Sequence, residues 1–273
     1  MRKNKSVLLS TPYILWMLVF TLIPLGVVGY YALTDPETGG FTLSNIWELG
    51  KYLPVLGQSV LYSLASALIC LILGYPVAYY IAHRGPIVQK ILYMLVMLPM
   101  CMSFLLRTLA WVGLLQDTGI INSFLQAIGI GKLQLIRTPG AVILGMVYNY
   151  LPYMILPLYA IIVKIDNRLI EAAEDLGCTP TKVFSKVVLP LSMPGILSGI
   201  TMVFVPAVST FYISQKLGST DIVLIGDIIE RQFKQGDNAN MGAALSLLLM
   251  VLVFVCTGII NRFGGDEEGG VIV

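Results

Sequence analysis

Residues 171–190 read Glu171-Ala-Ala-Glu-Asp-Leu-Gly-Cys-Thr-Pro-Thr-Lys-Val-Phe-Ser-Lys-Val-Val-Leu-Pro190. This charged segment lies between two uncharged apolar stretches, and each stretch is long enough for a helix to cross a bilayer. Basic loops between spans stay on the cytoplasmic side of a membrane. The segment is therefore predicted to be a cytoplasmic docking loop between two transmembrane helices.

Local chemistry predicts the shape of this loop. Asn167 is expected to cap a helix that contains Glu171, and Gly177 is expected to end that helix in a left-handed conformation. Thr179 and Pro180 then begin a second helix. Helix, glycine corner and helix together form a compact knob on which a partner protein could act. A simpler interpretation is that Glu-Ala-Ala is merely good helix-forming sequence.

The composition indicates an integral membrane protein. Of 273 residues, 57% are hydrophobic and only 12% are charged, whereas soluble domains carry about 25% charged residues. A net charge of +2 and a single histidine, His83, do not suggest nucleic-acid binding or a histidine-rich metal site. The four cysteines are isolated from one another, so neither a disulfide framework nor a zinc site is predicted.

The sequence contains no catalytic or nucleotide-binding motif. Gly131-Lys132 is the nearest approach to a phosphate-binding loop, but it lacks the upstream glycine and is followed by Leu133. One histidine at a predicted membrane boundary does not make a credible Ser-His-Asp or Cys-His arrangement. The chain is therefore expected not to be an enzyme and to bind neither cofactor nor metal.

Six uncharged stretches predict an all-α membrane protein with six transmembrane helices. They lie at about 10–32, 58–82, 91–115, 140–163, 192–215 and 239–261. Six spans place both termini on one side, where ten of the 17 basic residues fall, and the positive-inside rule identifies that side as the cytoplasm. We expect one transmembrane domain over 1–263, with the docking loop at about 164–193, and a disordered acidic tail over 264–273.

Segments on the opposite side are longer and hold two amphipathic patterns. Residues 119–129 and 227–233 alternate apolar and polar side chains at helical spacing, which predicts helices lying along the membrane surface. Four acidic residues after the fifth span could attract a cation, although three basic residues nearly cancel them. The acidic residues are Asp221, Asp227, Glu230 and Asp237, and the basic ones are Lys216, Arg231 and Lys234.

Charge is almost absent from the predicted spans. None contains Asp or Glu, whereas carriers coupled to protons or sodium usually bury acidic groups there. Arg107 is the one charged residue within a span. It lies about sixteen residues, or roughly 24 Å, from the cytoplasmic end of span three, so we expect it to reach the outer interface as an anchor. The alternative is that it binds the substrate.

Two spans carry polar and aromatic residues at helical spacing. In span four these are Gly145, Tyr148, Asn149, Pro152 and Tyr159, and in span five they are Ser198, Thr201, Ser209, Tyr212 and Gln215. The two faces are predicted to look into the helix bundle and to line a translocation path. Small and hydroxyl residues also pack membrane helices together, which is an equally plausible interpretation for any single residue.

The docking loop resembles the EAA loop of ATP-binding-cassette importer permeases. The matching residues are Glu171-Ala172-Ala173, Gly177 and Leu189-Pro190, with Val187 where that pattern usually has Ile. The resemblance implies a type I importer permease of MetI-like architecture in the cytoplasmic membrane. It further implies that Glu171, Ala172, Ala173, Gly177, Leu189 and Pro190 couple the permease to a cytoplasmic ATPase.

Within that family the chain is most similar to permeases of spermidine/putrescine importers. The similar stretches include Phe211-Tyr-Ile-Ser214 and Leu224-Ile-Gly226. The resemblance implies two ATPase subunits that hold ATP and Mg, a second permease subunit that is a different chain, and an extracytoplasmic substrate-binding protein. It also implies an outer gate near Phe211 and Tyr212. The residues assigned to the path are Tyr148, Asn149, Ser209, Phe211, Tyr212 and Gln215.

Two other functions remain open from the sequence. A permease of the same architecture could import another solute, such as an organic anion, thiamine or a metal complex. From a different class, the chain could be an ion-coupled carrier or channel that works without ATPases. The lack of acidic residues in the spans argues against the second alternative.

Overall fold

The computed structural model describes residues 12–35, 38–234 and 238–263. Over these residues the chain is helical, apart from one isolated bridge between Thr34 and Phe41. The helices are α1 Pro12–Ala32, α2 Ser44–Glu48, α3 Leu53–Ala82, α4 Pro86–Met97, α5 Phe104–Leu115, α6 Ile120–Ala127, α7 Pro139–Ile162, α8 Asn167–Asp175, α9 Pro180–Leu191, α10 Met193–Val208, α11 Tyr212–Leu217, α12 Ile225–Lys234 and α13 Ala239–Phe263. The all-α prediction is confirmed. Arg2, Lys3, Lys5, Asp237 and the tail 264–273 lie outside the described residues.

By length and hydropathy, the described residues contain five helices able to cross a membrane, and six if α9 and α10 form one bent span. The five are Pro12–Ala32, Ser44–Ala82, Phe104–Ala127, Pro139–Ile162 and Ala239–Ile260. Each overlaps one predicted span, and the bent pair overlaps the predicted span at 192–215. The two amphipathic segments are helical as predicted, as α6 and α12.

Two predicted spans are not continuous helices. In the third, α4 ends at Met97, a tight turn follows over Leu98–Cys101, and Met102 is extended before α5 begins. Pro99 lies in that turn and has no N–H to continue the helical hydrogen bonds. The distance of about 24 Å estimated for Arg107 assumed a continuous helix over 91–115. The break removes that assumption and reorients the residues of α5.

The fifth span bends at its start and breaks before its end. The axes of α9 and α10 differ by 63°. α10 ends at Val208, two residues after Pro206, and α11 begins only at Tyr212. Ser209 and Tyr212 therefore lie on either side of a break, and the single helical face predicted for this span does not exist.

The chain divides into two compact units, one formed by Met1–Pro54 with Ile228–Leu252 and the other by Val55–Asp227 with Val253–Val273. In the first unit, buried amide side chains tie the end of α1. The Nδ2 of Asn45 donates to the carbonyls of Ala32 (3.2 Å) and Thr34 (3.0 Å). The Nδ2 of Asn240 donates to the same Thr34 carbonyl at 2.6 Å. These bonds satisfy backbone groups at a helix end.

The core of the second unit is built around α7. Met146, Met154 and Leu158 are fully buried on this helix, and α10 packs closely against it. A Cβ at Gly199 would lie 2.6 Å from the Sδ of Met154, and one at Gly195 would lie 3.1 Å from the carbonyl oxygen of Pro157. The Gly-x-x-x-Gly spacing therefore lets the two helices approach at a distance that a larger side chain would prevent.

Candidate functional site

The docking loop forms the predicted knob, with one correction to its start. Asp166, not Asn167, is the N-cap of α8, and its side chain accepts a hydrogen bond from the backbone N–H of Arg168 at 3.0 Å. Asp and Asn cap helices about equally well, so the sequence did not distinguish these neighbours. Glu171 and Ala172 lie exposed on α8, and Ala173 is half-buried.

Gly177 closes α8 in the left-handed conformation that was predicted, with φ at +80°. Its N–H donates to the carbonyl of Glu174 (2.8 Å), and the N–H of Cys178 donates to that of Ala173 (3.1 Å). This pair of bonds is a Schellman motif. No atom lies within 4 Å of the position a Cβ would take. The corner is therefore open to a partner.

The corner also carries an exposed leucine that the sequence patterns did not predict to be a functional residue. The side chain of Leu176 is 86% exposed, directly before Gly177 and in an otherwise charged loop. An apolar side chain in such a position gains free energy by burial, about 1.5–3 kcal/mol for a leucine. The signal was available, because Leu176 is the one large apolar residue between Glu171 and the glycine.

The second half of the knob begins as predicted, with extended Thr179 before Pro180. Within α9 the residues Phe184–Val188 form a π-turn, a widened helical turn that often marks functional sites. Leu189 and Pro190 follow it, half-buried and exposed respectively. The predicted coupling residues therefore extend from an open corner to the base of the bent span.

Aromatic contacts hold α9 against α3. The ring of Phe184 meets Tyr75 and Tyr79 edge-on, with centroids 5.5 and 6.0 Å apart. The hydroxyl of Tyr75 and that of Ser192 are 2.8 Å apart, both buried, at the bend between α9 and α10. Sequence analysis did not identify this anchor, because it joins residues more than a hundred positions apart.

A cleft of about 450 Å³ lies where α5, α7 and the break after α10 meet. It includes four of the six residues predicted to line the path: Asn149, Ser209, Phe211 and Tyr212. Its other lining residues are Phe104, Leu105, Arg107, Tyr150, Tyr153, Pro206 and Thr210. The sequence stripes therefore indicated the right region, although the second stripe is not one helical face.

The other two predicted path residues are not among those lining the cleft. Tyr148 turns toward Trp111, with ring centroids 5.4 Å apart. Neighbouring residues on a helix point about 100° apart, so Tyr148 does not follow Asn149 into the cleft. Gln215 is exposed on α11, beyond the break. The assignment of any of these six residues to a transport path stays a prediction.

Arg107 is a cleft residue and not an exposed anchor, so that expectation is corrected. Its side chain is only 7% exposed, and its Nε and Nη1 have no hydrogen-bond partner. The prediction assumed one continuous helix from residue 91, whereas α5 begins only at Phe104 after a break. An arginine that reached the membrane interface would keep its guanidinium exposed.

One of the two stretches that carry the polyamine-permease resemblance, Leu224-Ile-Gly226, lies against the break after α10. Gly226 packs against the broken segment so closely that a Cβ would lie 2.6 Å from the carbonyl oxygen of Thr210 and 2.7 Å from that of Ser209. The N–H of Ile225 donates to the hydroxyl of Ser59 at 2.8 Å. Leu224-Ile-Gly226 therefore packs against Ser209 and Thr210, directly before the Phe211-Tyr-Ile-Ser214 stretch.

The acidic attraction predicted for the segment after the fifth span is weaker than the sequence suggests. Asp227 is buried and accepts a hydrogen bond from the N–H of Leu224 at 2.8 Å. Glu230 forms an ion pair with Lys234. Asp221 is exposed. Among the described residues that line the cleft, none is a carboxylate.

Comparison with known proteins gives consistent matches. Residues 71–264 match the family described as "Binding-protein-dependent transport system inner membrane component". The spermidine/putrescine transport system permease protein PotB of Haemophilus influenzae is 38% identical over 247 residues, which cover 87% of this chain and 86% of that protein. PotB of Escherichia coli K12 is 36% identical, with 87% and 90% covered. The inner membrane ABC transporter permease protein YdcU of Escherichia coli K12 is 31% identical, with 88% and 82% covered.

Solved structures share the fold at low sequence identity. A chain of a bacterial ABC transporter involved in the import of alginate superposes with a TM-score of 0.81 at 18% identity, covering 97% of both chains. A chain of the MetNI methionine ABC transporter superposes with a TM-score of 0.59 at 19% identity, covering 78% of this chain and 94% of that one. These matches confirm the predicted permease architecture.

Proposed function

Because the chain belongs to the family of binding-protein-dependent transport system inner membrane components, we propose that it is the permease subunit of an ATP-driven importer of polyamines. The observation that carries the solute assignment is 36–38% identity to two spermidine/putrescine permeases over 87% of the chain. Family membership also argues against an ion-coupled carrier, which agrees with the lack of Asp and Glu in the predicted spans.

The knob around Gly177 supports a coupling role for the EAA loop. Glu171 is exposed near the middle of α8, where its carboxylate could meet an arginine of an ATPase. Leu176 offers apolar surface at the end of the same helix. On closure of two ATPase subunits, a pull on this knob would pass through Leu189 and Pro190 to the bent span. ATP and Mg²⁺ are held by the ATPases, and this chain contributes neither catalysis nor cofactor.

The cleft supports a path shared with a second permease subunit, a different chain. Its aromatic rings offer faces that attract amines. One of them already contacts a cation, since the Nζ of Lys216 lies 5.8 Å from the ring centroid of Tyr212. An extracytoplasmic binding protein would deliver the polyamine to the outer end, near Phe211. Both termini would face the cytoplasm.

One observation favours a second candidate, an organic anion. Arg107 places a positive charge in the cleft, and none of the described lining residues offsets it. An anionic solute would be attracted to this guanidinium, whereas a polyamine would be repelled by it. The charge of Arg107 therefore favours one solute class and disfavours the other, and an experiment can distinguish them.

ATP hydrolysis by the complete complex in lipid tests both candidates. The rate is compared for the empty binding protein, the same protein loaded with spermidine or putrescine, and the same protein offered a dicarboxylate. Stimulation by the polyamine-loaded form alone would establish the proposal. Stimulation by the dicarboxylate form would keep the importer and replace its solute.

Coupling is tested separately by Glu171→Lys. We expect polyamine uptake to be lost while the protein remains in the membrane, because the exposed carboxylate is replaced by a charge of the opposite sign. Lys132→Glu reverses a charge on an exposed residue outside the loop and is the control. Normal uptake by the Glu171 variant would remove the docking assignment.

A further inference from the structure

Arg107 carries a charge that the described part of this chain does not neutralise. The guanidinium of an arginine carries a delocalised positive charge and offers five N–H donors. Its side chain is 93% buried, and two of its three nitrogens, Nε and Nη1, lack hydrogen-bond partners. A buried unpaired charge is costly in a protein and more so in a membrane, so such residues normally have a specific partner.

Among the residues that the structure describes, no carboxylate lines the cleft beside Arg107. No predicted span contains Asp or Glu. A second copy of the same chain would add another arginine and again no acid within a span. A carboxylate that pairs with Arg107 would therefore come from a different molecule.

The open side of the cleft indicates where that molecule lies. Its rim is apolar and partly exposed, with Leu105 48%, Tyr153 37% and Phe211 38% exposed. Deeper in the cleft, the Oδ1 of Asn149 is buried and also lacks a partner. Lipid chains offer no hydrogen bonds, so a cleft that opened onto lipid would leave all these polar atoms unsatisfied. The open side therefore faces protein or the water of a path, and not lipid.

We propose that a second, non-identical permease subunit places a membrane-embedded aspartate or glutamate against Arg107. This inference rests on the proposed function, because a polyamine is a cation and does not supply the missing negative charge. An ion pair between carboxylate and guanidinium satisfies both groups with directed hydrogen bonds. It also requires the permease pair to be a heterodimer.

In this arrangement Arg107 holds the carboxylate of the second subunit in place. It is therefore a positioning residue that need not contact the polyamine.

A charge exchange between the subunits tests the inference. In the complete complex, Arg107→Glu is combined with variants of the second permease subunit in which each acidic residue of its apolar segments is changed to arginine in turn. We expect Arg107→Glu alone to reduce both co-purification of the second subunit and spermidine uptake by at least about tenfold. One double variant should restore co-purification and, in part, uptake.

Two controls keep the result interpretable. Arg107→Met removes the charge and keeps an apolar stem, and it should also weaken co-purification because it leaves the partner's carboxylate unpaired. Lys132→Glu, on an exposed residue away from the cleft, should change neither readout. The amount of each variant in the membrane is measured, so that loss of folding is seen directly.

Several outcomes would overturn the inference. Co-purification and uptake that survive Arg107→Met would show that no carboxylate depends on Arg107, and failure of every double variant would exclude the pair. A normal complex with a raised KM for an anionic solute would assign the guanidinium to the solute, and the polyamine proposal would fail with it. If polyamines do not stimulate the wild-type complex but one double variant restores co-purification, only the solute assignment fails.

Discussion

Gly177 is the residue on which the shape of the docking knob depends, because its φ of +80° is unfavourable for residues with a side chain. Gly177→Val should cost about 1–2 kcal/mol through left-handed strain and the β-branched side chain. We expect ATP hydrolysis stimulated by the loaded binding protein, and uptake, to fall together. Asn tolerates this conformation, so Gly177→Asn should retain most activity. If Gly177→Val were as active as Gly177→Asn, uptake would not depend on the left-handed conformation of this corner.

Gly226 has a different role, since rigid backbone surrounds it. A Cβ there would lie within 2.7 Å of two carbonyl oxygens of the broken segment, which have little freedom to move. Gly226→Ala should therefore cost about 1–3 kcal/mol by overpacking and reduce uptake. Gly113→Ala is the control, because no atom lies within 4 Å of its Cβ position and alanine favours a helix. Thermal unfolding of the purified complex measures both variants.

At the residue scale, the sequence predicted local conformation well and burial poorly. Gly177 and Pro180 act through their own backbone restrictions, which are the same in any protein. The burial of Arg107 depends on a break several residues before it and on helices from distant parts of the chain. The sequence spacing alone placed it at an interface, because the spacing assumes a straight helix.

At the element scale, the contact between α7 and α10 depends on Gly195 and Gly199. Gly199→Val should destabilise the protein by about 1–3 kcal/mol, because the new side chain would overlap Met154. Gly258→Val, in α13, has no atom within 4 Å of its Cβ position and should be tolerated. Thermal unfolding in detergent provides the comparison. Equal midpoints would mean that the two helices can separate without loss of stability.

The number of spans could be predicted from hydropathy, whereas the interruptions within them could not. Uncharged residues continue through both breaks, so a hydropathy pattern has no reason to stop there. Pro99 and Pro206 lie at these two breaks, but proline also occurs in continuous membrane helices. At the second break, Gly226 packs against the chain from a later part of the sequence.

For the whole molecule, the distribution of basic residues predicts which side faces the cytoplasm. Single cysteines replace Ser185 in the docking loop or Gln134 between α6 and α7, both exposed, in a chain without its four native cysteines. A maleimide that does not cross membranes should label the Gln134 variant in intact cells and the Ser185 variant only after permeabilisation. The reverse labelling pattern would show that the chain has the opposite orientation in the membrane. The knob would then be out of reach of cytoplasmic ATPases.

The division into two compact units is a property of the whole molecule that the sequence did not reveal. Ile228–Leu252 joins the first unit although it follows the second along the chain. Hydropathy identifies the apolar segments of a chain but not the contacts between them. It therefore predicts the number of spans and not which spans pack together in one unit. The residues of the docking loop were found more easily, since they are contiguous and carry their own turn chemistry.

The 63° bend between α9 and α10 has a mechanical consequence. Two rigid helices joined at a fixed angle move together, so a displacement of α9 would rotate α10 about the bend. The longer helix, α10, has 16 residues and is therefore about 24 Å long, so a tilt of about 5° at the bend would move its far end by about 2 Å. The broken segment at Ser209 begins at that end. A small displacement of the docking knob would therefore move the residues at the mouth of the cleft sideways.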